Sequence, residues 1–210
     1  LRPTSSAQIA RAMRFASSRG LSVVARGIGH SAGGQSQVDQ GLVIDMTRLD
    51  SIHSIDIREG YLETDAGVTW QALMDALLPL GVAPAVITDW LHLTLGGTIS
   101  AGGVGAQSFS RGLQADAVEA LELVTARGQI LQCDSDITSE LFNAARAGLG
   151  QFGIITRVRM RIEPAPTTVT LEHRVFDSFD AFADAVELLR DVPGIHGLLA
   201  HAVPTNPAAI

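Results

Sequence analysis

The segments of this sequence that are predicted to form strands occur mainly in pairs joined by tight turns. The stretches SIHSIDI and YLETDAG flank one turn, and AVEALELV and QILQCD flank another at Arg127–Gly128. A further strand, GIITRVRMRIEP, alternates apolar residues with arginines. Strands outnumber helices and a regular βαβ alternation is absent, so we expect an α+β fold and not a doubly wound nucleotide-binding fold.

The rest of the chain is predicted to form helices, glycine-rich loops and a C-terminal part that differs in composition. Helices are expected before Gly20, after a Thr69 cap, after a Ser139 cap and over Phe179–Arg190. The stretch Pro84–Gln114 has little periodicity and reads as one long loop, which in a compact domain is usually functional. Two further strands are expected over Val169–Val175 and from Gly197 to Ala202.

Charge and composition exclude several classes of function. The net charge is −7, which disfavours binding to nucleic acid, and all 15 basic residues are arginine, so no lysine can serve a Schiff base or a P-loop. Cys133 is the single cysteine, so no internal disulfide and no cysteine-rich metal site can form. No apolar run approaches the roughly 20 residues of a membrane span, and no signal peptide is visible. We therefore expect a protein that is not bound to a membrane, with a cytoplasmic location.

Two glycine-rich segments are the strongest candidates for a ligand site. The first glycine loop (Gly27–Gly34) follows a predicted strand, and the second glycine loop is the segment LGGTISAGGVGAQ (Leu95–Gln107). Glycines let the main chain approach a ligand closely, and successive N–H groups can bind a diphosphate without a lysine. The alternative is that these are ordinary loop glycines. His30 lies within the first loop and, on the residues alone, can be a loop residue, a metal ligand, a general base or an attachment point.

Asp89 is an acidic residue within an otherwise apolar run, Ala85 to Leu95. Burial among these neighbours would suit a proton-accepting role. The alternative is that Asp89 caps a turn or pairs with an arginine. The remaining histidines, His53, His173, His196 and His201, are interpreted as structural. His92 lies three residues from Asp89 and could line a site, but it is also interpreted as structural because no metal-ligand spacing supports another role.

The segment GLGQFG (Gly148–Gly153) matches the dinucleotide fingerprint G-x-G-x-x-G, but a helix leads into it and a strand leaves it. The fingerprint requires the opposite order. We interpret it as a helix-to-strand turn whose following main chain can still lie against a cofactor.

Four segments together resemble the flavin-binding domain of cytokinin dehydrogenases and their bacterial relatives, within the vanillyl-alcohol-oxidase type of flavoproteins. The resemblance covers about residues 1 to 165 and rests on RGIGHSAGGQ, TDWLHLTLGGTISAGGVGAQSFSRGLQ, ALELVTARGQIL and ELFNAARAGLGQFGIITRVRMRI. It implies a PCMH-type FAD-binding domain of two subdomains, with mixed and antiparallel sheets and flanking helices. It also implies an FAD-dependent oxidoreductase that needs a small-molecule substrate and an electron acceptor such as oxygen or a quinone.

The resemblance assigns roles to individual residues. His30 would carry FAD covalently through the 8α-methyl carbon of its ring, and Asp89 would accept a hydrogen bond from a substrate nitrogen while a hydride passes to flavin N5. The other implied FAD contacts are Ala25, Gly27, Gly29, Ser31, Gln35, Thr94, Ser100, Val104, Ile154 and Ile155. The second glycine loop contains no cysteine, so a single covalent bond is expected.

The resemblance has limits that leave other functions open. Ile28 and the stretch VITDWLH depart from the plant pattern, so the substrate end can differ. An alcohol, sugar or lactone oxidase of the same family, or a truncated flavin-binding fragment without catalysis, are the alternatives to amine oxidation. We expect residues 1–164 to form the FAD-binding domain, whose N-terminal part can be missing, and residues 165–210 to begin a truncated substrate domain.

Overall fold

The computed structural model describes residues 1–201 as an α+β domain followed by a helix-containing segment. The helices are α1 (Ser6–Ser18), α2 (Trp70–Leu77), α3 (Leu95–Ser100), α4 (Ser108–Arg111), α5 (Ser139–Ala145) and α6 (Phe179–Arg190). The strands are β1 (Val23–Arg26), β2 (Leu42–Asp45), β3 (Ile52–Asp56), β4 (Tyr61–Asp65), β5 (Val82–Ala83), β6 (Val118–Val124), β7 (Ile130–Asp134), β8 (Ile154–Arg161) and β9 (Glu163–Pro164).

The central element is a five-stranded sheet in the order β3-β4-β8-β6-β7, in which all neighbours are antiparallel. Both predicted hairpins belong to it, and β8 lies in the middle. The alternation of β8 gives it one apolar face, on which Val158 and Met160 are fully buried. On the other face, Arg159 pairs with Glu119 at 3.2 Å and its guanidinium lies 3.6 Å from the centre of the Tyr61 ring.

A second, smaller sheet carries the first glycine loop. Strands β1 and β2 are parallel, and α1 packs over them through Ile9 and Met13, which join Ile44 and Met46 in one apolar cluster. Helix α1 begins where Ser5 accepts a hydrogen bond from the main chain of Gln8, as expected for a serine cap. The parallel pairing places residues after β1 and after β2 at one edge of this sheet.

Most predicted elements are confirmed, including the Thr69 cap of α2 and helix α6. Four predictions are wrong in detail. The stretch Pro84–Gln114 is not one irregular loop, since it contains α3 and α4. Thr138 and not Ser139 is the residue before α5, and Val169–Val175 forms no strand. Residues 197–201 also form no strand, and Ala202, the end of that prediction, lies outside the described residues.

Candidate cofactor site

The first glycine loop leaves the carboxyl end of β1, where Ala25 pairs with Ile44 and Arg26 with Asp45. Gly29 has φ +79°, in the left-handed region that favours glycine, so the chain turns sharply just before His30. The Arg26 guanidinium packs over Gly29, since a β-carbon there would lie 2.6 Å from Nη2. Within the loop His30 is exposed, and Ser31 and Gln35 are exposed beside it.

Gly27 brings the first loop against the start of the second. A β-carbon at Gly27 would lie 2.1 Å from Thr94 Oγ1, so only a residue without a side chain fits. Thr94 is itself 3% exposed and forms an isolated β-bridge with Thr69. The next residue, Leu95, donates its N–H to Val68 O at 2.8 Å. Gly27 of the first glycine loop therefore meets Thr94, the residue directly before the second glycine loop, at one fixed contact.

The imidazole of His30 faces an aromatic residue that the sequence interpretation did not single out. Trp90 lies parallel to it, with ring centroids 6.3 Å apart and an interplanar angle of 9°. The segment that carries Trp90 is held by Gln71 N–H on Leu91 O at 2.7 Å, and His92 packs edge-on against the indole. The sequence feature that could have identified Trp90 as a site residue is its position directly after Asp89.

Asp89 is exposed. The burial that would suit a proton-accepting role is therefore absent in the part of the chain that the structure describes. The neighbouring Thr88 is buried, and the chain bends at Asp89–Trp90, which turns both side chains outward. Ile87 N–H donates to Gln107 Oε1 at 3.2 Å, so the segment before Asp89 is tied to the end of the second loop. An apolar flank in sequence did not enclose this carboxylate because the bend separates it from its neighbours.

The second glycine loop begins as helix α3, which is packed tightly against the core. Gly96 donates its N–H to Ala66 O at 2.7 Å, and Trp70 Nε1 donates to Thr98 Oγ1 at 3.0 Å. The Ser100 hydroxyl donates to Gly96 O at 2.7 Å, which leaves its lone pairs available as acceptors. Past the helix the chain opens to solvent, and Val104 is 70% exposed.

The turn at Gly148–Gly153 connects α5 to β8, as the order of elements in the sequence predicted. It is bonded to the end of α3 through Ala147 N–H on Ile99 O and Leu149 N–H on Ser100 O, at 2.9 and 2.8 Å. Both donor residues have positive φ without being glycine, a conformation that needs surrounding contacts to hold it. Ile154 and Ile155 follow in β8 and are buried, so their side chains belong to the core and only their main chain can serve a ligand.

Arg26, the last residue of β1, directly precedes the first glycine loop, and it was missed by the sequence interpretation. It lines an open cleft of about 570 Å³ together with Gly27, Ile28 and Asp45. This cleft adjoins the start of the first loop and does not include His30 or Trp90, so it marks one side of the candidate site only. A guanidinium here provides a positive charge beside main-chain N–H groups.

Asp45, at the end of β2, has a lowered pKa. Burial acts to raise it, but the hydroxyl and N–H groups of Thr47 and the Arg2 guanidinium outweigh burial and favour the charged carboxylate. The cleft beside the first glycine loop therefore contains an ionised Asp45 as well as Arg26.

Of the other histidines, His92 packs against Trp90, and His196 precedes Gly197, which lies against Ala106 in the second glycine loop. His53 in β3 lies 2.7 Å from Asp65 Oδ1, and His173, His196 and His201 are exposed. Within residues 1–201, no three His, Cys, Asp or Glu side chains are grouped to hold a metal ion. No helix in the same range is long and apolar enough to cross a membrane.

The chain is similar in sequence to known proteins. Residues 1–134 match the family model FAD_binding_4, described as an FAD binding domain. An uncharacterized oxidoreductase of the fasciation locus of Rhodococcoides fascians is 43% identical over 80% of this chain and 38% of its own length. Cytokinin dehydrogenase 9 of Oryza sativa subsp. japonica is 41% identical over 90% of this chain and 37% of its own length.

One solved structure supports the fold directly. Crystalline 6-hydroxy-D-nicotine oxidase from Arthrobacter nicotinovorans superposes with a TM-score of 0.73 and 31% identity, over 78% of this chain and 36% of that one. The chain thus spans little more than a third of the length of the relatives it matches.

Proposed function

Because the chain belongs to the family of FAD binding domains, we propose that it holds FAD between its two glycine loops and serves an oxidoreductase. The observation that carries this proposal is the contact between Gly27 and Thr94, which joins the loops into one surface. Bound FAD would supply the redox chemistry, accepting a hydride at N5 that none of the side chains here can accept. The residues of the chain would bind and orient the cofactor and the substrate, and would hold or move protons.

Two observations support the fit of FAD to this surface. The first loop has exposed main chain at Gly33 and Gly34, where a cofactor diphosphate would find close approach to N–H groups. Arg26 adds a positive charge to this acidic chain directly before the same loop. The main chain of Ala25 with Gly27, Gly29, Ser31 and Gln35 would bind the diphosphate and the adjoining ring.

His30 is proposed as the covalent attachment point of the flavin. Its imidazole is exposed to solvent on a glycine-flanked turn, and the Trp90 ring lies parallel to it with the ring centroids 6.3 Å apart. A neutral imidazole is a nucleophile, and its bond to the 8α carbon would replace a C–H bond. The proton would leave to solvent, and the two electrons would pass to the flavin and then to the oxygen or quinone acceptor. Attachment at one point would fix the ring relative to both loops.

The remaining proposed cofactor contacts come from the second loop and the turn before β8. Thr94 and Ser100 offer hydroxyl groups, and Val104, Ile154 and Ile155 offer main-chain groups. The bond from Leu149 N–H to Ser100 O supports this grouping, because it holds the turn against the end of α3.

For the substrate, we infer an amine whose nitrogen donates a hydrogen bond to Asp89 while its C–H bond transfers a hydride. The exposed carboxylate lies beside Trp90, the ring that also faces His30, so it is within the surroundings of the proposed flavin ring. Residues 1–164 would act as the FAD-binding domain and residues 165–210 as the beginning of a substrate domain. An oxygen or quinone acceptor would reoxidise the flavin.

The test is anaerobic reduction of the flavin. The purified protein, reconstituted with FAD, is mixed without oxygen with a panel of secondary amines and a matched panel of alcohols and sugars. Bleaching of the flavin absorption by amines alone supports the proposal. Bleaching by alcohols or sugars alone supports the other oxidase class, and absence of flavin binding contradicts both.

A further inference from the structure

The interior below the second glycine loop contains a polar side chain without partners. Gln114 is fully buried, and neither its Nε2 nor its Oε1 has a hydrogen-bond partner. Arg146 fixes the adjoining residue by donating from Nη1 to Ala115 O at 3.0 Å, and its own Nε is also buried and unpaired. These two side chains provide three of the four unpaired buried side-chain nitrogen and oxygen atoms within residues 1–201. Such groups are rare in folded proteins because leaving them unpaired is costly.

The Gln114 amide lies directly against the main chain of the second glycine loop. Gln114 N–H donates to Gly103 O at 2.9 Å, and Ala115 N–H donates to Gly102 O at 3.0 Å. A β-carbon at Gly103 would lie 2.2 Å from Gln114 Oε1, so this glycine allows the amide to pack on the backbone. The next residue is Val104, one of the proposed cofactor contacts.

The position of this contact assigns it to one end of the cofactor. His30 would fix the flavin ring near Trp90, close to the start of α3. Gly103 lies beyond the far end of that helix, whose six residues span about 9 Å. The part of FAD that would extend this far from the ring is its adenosine half.

We propose, on the basis of the proposed FAD-binding function, that Gln114 is a positioning residue for the adenosine half of FAD. Its amide bonds the main chain of Gly103–Val104 when that segment closes on the cofactor, and its unpaired donor and acceptor are satisfied in that state. Gln114 acts through the loop and does not itself contact FAD.

The experiment compares Gln114→Met, which keeps the side-chain length and removes the amide, with Gln129→Met on the exposed turn between β6 and β7. Both are made in the His30→Ala background so that binding is reversible. The dissociation constants of FAD, ADP and FMN are measured for all proteins. Gln114→Met is expected to weaken FAD and ADP about tenfold and leave FMN unchanged, while Gln129→Met changes none of them.

A second measurement separates positioning from a merely structural role. The unfolding midpoint of cofactor-free Gln114→Met should equal or exceed that of the parent, because an unpaired buried amide is removed. Hydrogen exchange at Gly103 and Val104 should slow on FAD binding in the parent and not in Gln114→Met. A lowered midpoint, an equal loss of FMN and FAD affinity, or unchanged FAD affinity would overturn the proposal. If the protein with His30 intact binds no FAD, the proposed function fails as well. If FAD binds and its affinity is unaffected by Gln114→Met, only the role of Gln114 is refuted.

Discussion

Gly27 and Thr94 lie so close that a single β-carbon would fill the space between the two glycine loops. A β-carbon on Gly27 would come within 2.1 Å of Thr94 Oγ1 and 3.2 Å of Thr94 Cβ. Both residues are anchored by strands or bridges, Gly27 at the end of β1 and Thr94 on Thr69, so neither can withdraw easily. Joining the loops in this way forms the surface on which the proposed function depends.

Gly27→Ala should therefore separate the loops and lower the free energy of unfolding by about 1–3 kcal/mol, the usual cost of overpacking. The matched test is the double variant with Thr94→Ala, which removes the hydroxyl that the new methyl group meets. Urea unfolding of the cofactor-free proteins should show recovery of much of the loss in the double variant. If the changes in unfolding free energy caused by Gly27→Ala and by Thr94→Ala simply add in the double variant, the contact between these residues is not the cause of the loss.

Asp89→Asn should impair amine oxidation while leaving the fold intact, because Asp89 is exposed and the amide keeps its shape. If the carboxylate accepts the substrate N–H hydrogen bond, kcat/KM for an amine should fall by about 10²–10⁴, the range typical of positioned acid–base groups. Asp50→Asn, a change at another exposed aspartate, serves as the control. Unchanged turnover in Asp89→Asn would favour an alcohol, sugar or lactone substrate.

The lowered pKa of Asp45 predicts a pH-dependent contribution to stability. A carboxyl group whose folded-state pKa lies below its unfolded value of 3.8 stabilises the fold above that value, and the contribution is lost as the pH falls through the lower folded pKa. Asp45→Asn, which can still cap the turn at Thr47, should cost at most about 1 kcal/mol at pH 7, since its partner Arg2 is largely exposed. Unfolding measured from pH 7 down to pH 2.5 should show this difference disappearing at the acidic end. A difference that is the same at every pH would show that charge is not involved.

The hairpins, the central strand and the Thr69 cap could be predicted because each depends on local pattern. Strand β8 alternates along its own length, and Thr69 carries its capping hydroxyl in the residue before the helix. Helix α3 could not be predicted in this way, since LGGTIS contains two glycines and has little intrinsic helical preference. It forms because Gly96 packs against Ala66 and Thr98 receives the indole N–H of Trp70, contacts between residues far apart in sequence.

The candidate site also has some features that could be predicted from the sequence and others that could not. The first glycine loop and the position of His30 could be identified from the sequence, because glycine content and order in the chain carry that information. The parallel packing of Trp90 on His30 and the burial of Gln114 depend on how separate segments meet, so they became visible only in three dimensions. The strand expected at Val169–Val175 has suitable residues but no neighbouring strand to bond with in the part of the chain that the structure describes.

The most direct test of the central claim is whether flavin remains with the chain after denaturation. The protein loaded with FAD is precipitated with acid and washed, and the pellet is examined by its absorption and by intact-mass spectrometry, beside His30→Ala and His92→Ala. The account predicts a yellow pellet carrying the mass of one FAD for the parent and for His92→Ala, and a colourless one for His30→Ala. A colourless parent pellet with all flavin in the supernatant, or an FAD adduct that persists in His30→Ala, would contradict it.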